Sequence, residues 1–287
     1  MSATTTPPIL DHIVILVPYS FLTSPPDWFA HLGFTFYPGG RHADGLTENT
    51  LVLLADGSYI EFIAFVPGAA RQKHKWGHKK EGSVIDWALT LSVSSGSNDG
   101  LAEEAKAFQE IQDKVKQAEA NITYGNLVPG GRHRPDGEEL KWAVAAAYKD
   151  GGEPVEPGLL PFWCLDDTRR ELRVPYLQDG VSRHANGAVG VSLVSVTPDD
   201  RDEAERLDKV YGVLLGEADD SLWDLKTLDG EKLHAGGQVR LEAVGESVKL
   251  TVAFLTNSSE FVGRKIGGKV GDATELEFEF VAARSKV

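Results

Sequence analysis

The sequence predicts an α+β fold of repeated β-α-β-β-β modules, two of them complete and a third degenerate. Three observations carry this expectation. A strand-like apolar run over 9–17 is followed by a short helix signal and three more strand-like runs ending at Phe65. The same succession restarts at Ile85. The pentapeptide Pro38-Gly39-Gly40-Arg41-His42 then recurs as Pro129-Gly130-Gly131-Arg132-His133, in the matching place of the second succession. Internal repeats fix module boundaries before any finer argument. The units expected are 9–66, 84–166 paired with it, and 186–284.

The first module opens with Ile9-Leu10-Asp11-His12-Ile13-Val14-Ile15-Leu16-Val17, a buried-strand signal. Pro25-Pro26-Asp27-Trp28-Phe29-Ala30-His31-Leu32-Gly33 reads as a short helix, with prolines at its start and glycine at its stop. Strands are expected over 34–37, 50–54 and 59–65. Two residues are out of character in these apolar strands, His12 in the first and Glu61 in the last, and each needs a partner if buried. The connector 66–83 carries Arg71, Lys73, His74, Lys75, His78, Lys79 and Lys80. Such a basic cluster is either a solvated loop or a face for an anionic ligand.

In the second module Ile85-Asp86-Trp87-Ala88-Leu89 reads like Leu10-Asp11-His12-Ile13-Val14, so Trp87 is expected where His12 stands in the first. A helix near 100–120 has Leu101, Ala105, Phe108, Ile111 and Val115 at helical spacing. Strands follow at 140–148 and 160–165, separated by a loop over 149–158. The stretch 166–187 is polar and loop-like. In the third unit a strand is expected at 188–196, then a helix capped by Asp199-Asp200 and running to about Leu215. Further strands are expected over 222–228, 238–244, 249–255 and 275–282. The last alternates charged and apolar residues, which predicts one wet face.

The totals bound the function. At 287 residues and 41% apolar, the chain can bury one large core or two smaller ones. A net charge of −14 argues against nucleic acid and anionic membranes as partners. The one cysteine, Cys164, excludes an internal disulfide framework and a Cys-rich zinc site, and fits a reducing compartment. The segment 1–8 has neither the basic region nor the apolar core of a signal peptide, and no apolar run approaches the ~18 residues of a membrane span. A cytoplasmic location is expected.

Several polar residues are candidates for chemistry. His12 is either a metal ligand or general base, or a core histidine bonded to Glu61 or backbone. Glu61, amid Ile60, Phe62 and Ile63, must be paired or perturbed, and either suits a site. The glycines of the two Gly-Gly-Arg-His segments permit tight turns. Arg41 and Arg132 can bind a carboxylate bidentately or pair with Asp44 and Asp136. His42, His133 and His184 are possible auxiliary groups, and Thr47 and Asn49 are cleft residues or turn chemistry. Cys164, in an apolar strand, reads as an inert buried thiol. No Gly-x-Ser-x-Gly elbow or phosphate-binding Gly-x-x-x-x-Gly-Lys loop is present.

Taken together, Leu10-Asp11-His12, Gly39-Gly40-Arg41-His42, Thr47 with Asn49, and Tyr59-Ile60-Glu61 resemble the glyoxalase-like proteins of the vicinal oxygen chelate superfamily. Arg134-Pro135-Asp136-Gly137, Leu140-Lys141-Trp142, Leu160-Pro161-Phe162 and His184-Ala185-Asn186-Gly187 extend the resemblance, which covers roughly 9–195. It implies a curved mixed sheet around a cleft between paired modules, with a divalent metal held by side chains of first and last strands. Carried onto this chain, the ligands are His12 and Glu61, and imidazole with carboxylate suits Zn, Mn, Fe, Ni or Co. No organic cofactor is implied.

The second-module counterparts, Trp87 and Phe162, are apolar, so half of a four-ligand site is missing. Either a third ligand comes from His42, His133 or His184, or Trp87, Trp142, Phe162 and Trp163 form an aromatic wall for a flat organic ligand. The expected activity is a small-molecule enzyme, a metal-assisted lyase or isomerase acting on an oxygenated substrate. His12, Glu61 and His42 are its catalytic candidates. Arg41, Asn49, Trp87, Arg132, Trp142, Trp163 and His184 are its substrate-binding candidates. Two alternatives stand beside it: a metal-free protein that sequesters an aromatic compound, and a metal-independent enzyme using His12 and Glu61 as an acid/base pair. The third module is expected to be structural, with an exposed sheet edge that makes a homodimer possible.

Overall fold

An apolar run with no polar face has to be covered on both sides, and the first strand obeys: β1 (Pro8–Leu16) is buried from Ile9 onward. The computed structural model describes residues 7–91, 100–134, 136–230, 236–271 and 274–283. Most of the N-terminal segment 1–8, Ser92 and Val93 of the second opening strand, and Pro135 lie outside the described residues.

After β1 come the single-turn helix α1 (Asp27–Ala30), β2 (Tyr37–Arg41), β3 (Thr47–Leu53) and β4 (Tyr59–Phe65). The second succession is β5 (Ser83–Leu91), α2 (Gly100–Gln117), β6 (Ile122–Tyr124), β7 (Val128–His133), β8 (Glu139–Ala145), β9 (Ala147–Lys149) and β10 (Phe162–Asp166). β6 and β9 form a small ribbon of their own. The other eight strands make one sheet in the order β2-β3-β4-β1-β5-β10-β8-β7. β1 lies antiparallel to β5, while β4 runs parallel to β1 and β10 parallel to β5. Each module therefore occupies half of the sheet.

The far edges of this sheet nearly meet. His42 bridges Arg132, and the Ala43 N–H donates to the Gly131 carbonyl at 3.0 Å. The Pro-Gly-Gly-Arg-His repeats are thus not tight turns but the two edge strands that approach each other. Their glycines serve close approach: a Cβ on Gly40 would stand 2.5 Å from the His133 carbonyl oxygen, and one on Gly131 2.6 Å from that of Leu140.

The register between β1 and β5 carries a pseudo-two-fold. His12 faces Ala88, Ile13 faces Trp87 and Val14 faces Asp86, and the register shifts at Asp11 on one side and Ile85 on the other. The axis runs through the Ile13–Trp87 pair, so the counterpart of His12 is Asp86, not Trp87. Both strands carry a bulge at the equivalent place, Asp11 in β1 and Ile85 in β5, so matching Asp11 to Asp86 by residue type sets the two sequences one residue out of register. Val14 pairs with Glu61 as Ala88 pairs with Phe162, so Phe162 keeps its expected equivalence to Glu61.

A short helix, α3 (Arg170–Arg173), links to β11 (Ala188–Thr197), α4 (Arg201–Leu215), β12 (Leu222–Leu225), β13 (Gly237–Leu241), β14 (Lys249–Thr256), β15 (Lys265–Val270) and β16 (Thr274–Ala282). Asp200 caps α4 through the Glu203 N–H at 2.8 Å. The segment expected as one degenerate module holds six strands in the order β12-β13-β11-β14-β16-β15. β11 and β14 are antiparallel, each with a parallel neighbour, β13 and β16. This is the first sheet's pattern without its outermost strands, so 186–284 forms two abbreviated halves. β15, with Gly267-Gly268, has no apolar run to announce it. The second sheet lays Val194, Val196, Val252, Phe254 and Phe278 against the outer face of the first, where Ile13, Ile15, Phe62, Trp87 and Trp163 complete the main core. None of the described helices is long and apolar enough to cross a membrane.

One buried carboxyl in this core gives a pH prediction. Glu104 of α2 has an unpartnered Oε2, and burial, reinforced by the Asp166 charge, raises its pKa from 4.5 to about 8. The unfolded chain gives up this proton near pH 4.5, so Glu104 subtracts stability progressively as pH rises from there to about 8. Glu104→Gln is expected to stabilise the protein by roughly 1–3 kcal/mol at pH 9 and to change little at pH 4. Urea denaturation of both proteins at the two pH values checks this.

Candidate functional site

The concave face of the first sheet, between the modules, encloses a cavity of about 290 Å³. Its apolar walls include Leu51, Ile63, Trp76, Trp142 and Phe162. Most of its polar wall is built by three pieces of the first module: the bulge of β1, the β2–β3 connection and β4.

The bulge brings Asp11 and His12 to the concave side, with Leu10 and Ile13 left in the main core. The Asp11 carboxylate accepts from His12 Nδ1 at 2.6 Å. It also accepts from Arg173 Nη1 and Nη2, each at 3.0 Å, and from Arg170. Burial alone would raise the Asp11 pKa, but the Arg173 and Arg170 guanidiniums overcome it and hold the group well below the ordinary carboxylate range. A charged acceptor on Nδ1 fixes the His12 tautomer and leaves Nε2 as the atom presented to the cavity. The imidazole is stacked on Tyr59 at 4.6 Å, and Phe162 meets its edge at 5.3 Å.

Glu61 stands opposite. Its Oε2 lies 3.7 Å from His12 Nε2, and its Oε1 lies 3.6 Å from His42 Nε2. Both distances exceed a direct N–H···O hydrogen bond. The carboxylate is oriented by Asn49, whose Nδ2 donates to Oε1 at 2.5 Å while its Oδ1 accepts from the Gly40 N–H at 3.0 Å. His42 is anchored at Nδ1 by Thr47 Oγ1 at 2.8 Å, so it too presents Nε2. Burial lowers the His42 pKa, against the pull of the Glu61 charge, which favours a neutral ring with a free lone pair.

Of the residues singled out from the sequence, the cavity gathers His12, His42, Thr47, Asn49, Glu61, Arg132, Trp142 and Phe162. Five candidates stand elsewhere. Trp87 points to the opposite face, because it sits one residue past the position equivalent to His12, and packs against Tyr211 at 6.2 Å. Trp163 alternates outward from Phe162 and packs on Phe108 at 5.4 Å. Arg41 is exposed and paired with Glu48 at 3.2 Å. His184 bonds backbone on both sides, the Thr35 N–H at 3.0 Å and the Leu53 carbonyl at 2.9 Å, and so staples the connecting segment to the first module. The exposed His133 does not line the cavity either.

Other contributors went unmarked in the sequence, save Lys75 of the basic connector. Asp11 hid beside His12, although an Asp inside an aliphatic strand is itself a signal. Arg170 and Arg173 come from a stretch that reads as a polar loop. From the basic connector, Lys75 and Trp76 reach the cavity and are tied to Asp86 at 3.2 and 2.8 Å. Asp86, the counterpart of His12, is thereby occupied.

The donor set suits a divalent metal. His12 and His42 have their Nδ1 atoms anchored and their Nε2 atoms directed at the two oxygens of Glu61. Two imidazoles and a carboxylate suit Fe, Mn, Co, Ni or Zn, and three ligands are the usual complement of an open site. A tighter cluster, Asp11, His12 and Cys164, has its donor atoms within 4.8 Å of one another. It suits a metal less well: two arginines already neutralise Asp11, and burial pushes the Cys164 thiol well up.

Comparison with known proteins then gives three findings. The model of a glyoxalase-like domain matches residues 10–211. Curated proteins give no match. A hypothetical protein from Staphylococcus aureus has a similar structure, with a TM-score of 0.63 and 16% identity over 96% of this chain and 100% of that one. The Mn(II)-bound glyoxalase from Novosphingobium aromaticivorans is a more distant likeness, with a TM-score of 0.46 and 11% identity over 96% of this chain and 84% of that one.

Proposed function

Because the chain belongs to the glyoxalase-like domain family of the vicinal oxygen chelate superfamily, we propose that it is a small-molecule enzyme catalysing a metal-assisted lyase or isomerase step on an oxygenated organic substrate. The observation that carries this reading is the facing arrangement of His12 Nε2 and His42 Nε2 on opposite oxygens of Glu61, inside an apolar-walled cavity. His12, His42 and Glu61 would hold the metal, all three from the first module. Such an ion, when bound, polarises a substrate oxygen and stabilises an enolate.

The chain's own residues do the rest. Asp11 fixes the His12 tautomer, Thr47 fixes His42, and Asn49 holds the Glu61 carboxylate in place. Glu61, whose Oε2 is free of a close donor, is the group we assign to moving the substrate proton. Tyr59, Trp142 and Phe162 exclude water and offer flat surfaces to the substrate.

A second reading has a specific observation in its favour. Asn49 fills Oε1 of Glu61 at 2.5 Å, and the second module offers Phe162 and an occupied Asp86 in place of ligands. On that reading no metal is needed, and neutral His42 takes the proton at Nε2.

Deuterium wash-in at the α-carbon of 2-oxo acids and α-hydroxy ketones, followed by proton NMR, tests the common core of both. The wild type is expected to exchange at least one of these compounds on either reading; Glu61→Gln should slow it by about 10²- to 10⁴-fold on the first reading, and His42→Gln by as much on the second. A wild type that binds these compounds and exchanges none of them contradicts both readings and favours sequestration.

A further inference from the structure

The cations at the cavity are not equivalent. Arg173 is neutralised by Asp11 and Asp166, and Lys75 lies 3.2 Å from Asp86. Arg132 is different. It is 3% exposed, it lines the cavity from β7, and no carboxylate among the described residues pairs with it. Its recorded hydrogen bond is Nη1 to the Gly39 carbonyl at 2.5 Å, which leaves the remaining guanidinium N–H groups without a protein acceptor. A buried, unpaired guanidinium is costly, and burial also pulls its pKa down from the ordinary value. The backbone holds it there deliberately: Arg132 is the residue that bridges His42 where the two edge strands meet, so its position is fixed beside the reacting cluster.

We infer that Arg132 is the anchor for a substrate carboxylate, and that the cavity takes small, flat carboxylic acids whose reacting carbon then lies toward Glu61. The inference rests on the proposed function for the second clause only. A guanidinium presents a planar fork that matches a carboxylate. Trp142 and Phe162 supply faces for a planar or aromatic body. At about 290 Å³ the cavity sits at the bottom of the range of roughly 300–1,000 Å³ usual for ligand pockets, which favours a small acid over a bulky conjugate. The distribution of charge agrees: among the described Lys and Arg residues lining the cavity, Lys75 and Arg173 have a carboxylate within ion-pair distance and Arg132 has none.

The probes are benzoate and its neutral isostere benzamide, with binding measured by calorimetry on EDTA-treated protein so that no metal can hold the acid. The wild type is expected to bind benzoate at least about tenfold more tightly than benzamide, one charge-assisted contact being worth that much. Arg132→Gln should bring the two within about twofold, and Arg132→Lys should restore part of the preference. Equal binding of both probes by the wild type overturns the inference, as does a folded Arg132→Gln that keeps the preference. If that variant does not fold, a crystal structure of the wild type with benzoate decides: the carboxylate on Arg132 supports the anchor, and the carboxylate elsewhere overturns it. His12→Ala and Glu61→Gln enter the same assay and should retain the preference. A wild type that shows the preference but exchanges no proton counts against the reaction alone, and a wild type that exchanges without the preference counts against the anchor alone.

Discussion

Asp11→Ala is expected to destabilise the protein by about 3–5 kcal/mol, the cost of leaving buried charge uncompensated. Asp11 is fully buried and receives Arg173 through two bonds, Arg170 through another and His12 Nδ1. Asp166 also contacts both arginines, through Arg173 Nε at 2.5 Å and Arg170 Nη1 at 3.3 Å, but a single carboxylate cannot neutralise two guanidiniums. The loss is a large share of the roughly 5–15 kcal/mol that holds a domain together. Because the arginines depress the Asp11 pKa, its contribution is fully present above the ordinary carboxylate range and is lost only as pH falls well below it. Thermal denaturation at pH 7 measures the effect, and a loss under about 1 kcal/mol would remove Asp11 from the centre of this network.

Asp11→Asn separates stability from chemistry. The amide keeps the size and one acceptor, but its N–H₂ placed against His12 Nδ1 forces the proton to Nε2. The imidazole would then turn an N–H, not a lone pair, toward the cavity. The expected result is a folded protein with divalent-metal affinity reduced about 10- to 100-fold, as for loss of a carboxylate behind a ligating histidine.

The second large effect concerns the proposed ligands. His12→Ala, His42→Ala and Glu61→Ala each reduce a three-donor set to two, below the complement that holds an open catalytic metal. Each is therefore expected to lose metal more completely than Asp11→Asn does. Phe162→Ala and Cys164→Ala serve as controls, since they touch the same cavity from the second module without belonging to the set. They should keep the metal, although Phe162→Ala opens a cavity and lowers stability by about 3–5 kcal/mol. Metal titration monitored on each purified variant separates these outcomes. Loss of metal in Cys164→Ala but not in His42→Ala would move the centre to the Asp11, His12 and Cys164 cluster.

How much of this was legible in the chain follows from what each residue had to announce it. β4 was read to the residue, because 59–65 is apolar on both faces and bounded by turn residues. His12 and Glu61 were visible because a polar group in such a strand needs a reason. The duplication was visible through the glycine pentapeptide, but its meaning was not: closing a sheet edge to edge is a long-range fact, and glycine looks the same in a turn. Trp87 was misassigned for a local reason. Matching Asp86-Trp87 to Asp11-His12 by residue type is one residue out from the pairing of β1 with β5, and in a strand a shift of one reverses the face. Trp163, next to Phe162, likewise fell on the outer face. Arg170 and Arg173 were hidden because four helical residues inside a polar stretch carry no periodicity. The second sheet was read as one module since neither of its halves has the outer strands that would mark a complete copy.

The measurement that bears most directly on the account is the metal content of the purified, untagged wild-type protein beside Glu61→Ala. It should be made by elemental analysis, before and after incubation with Zn, Mn, Fe, Ni or Co and removal of the excess. Close to one divalent ion per chain is expected in the wild type and essentially none in Glu61→Ala. A wild type that carries no metal and takes up none of the five would contradict the metal centre, leaving His12, His42 and Glu61 as a proton-transfer cluster that works alone.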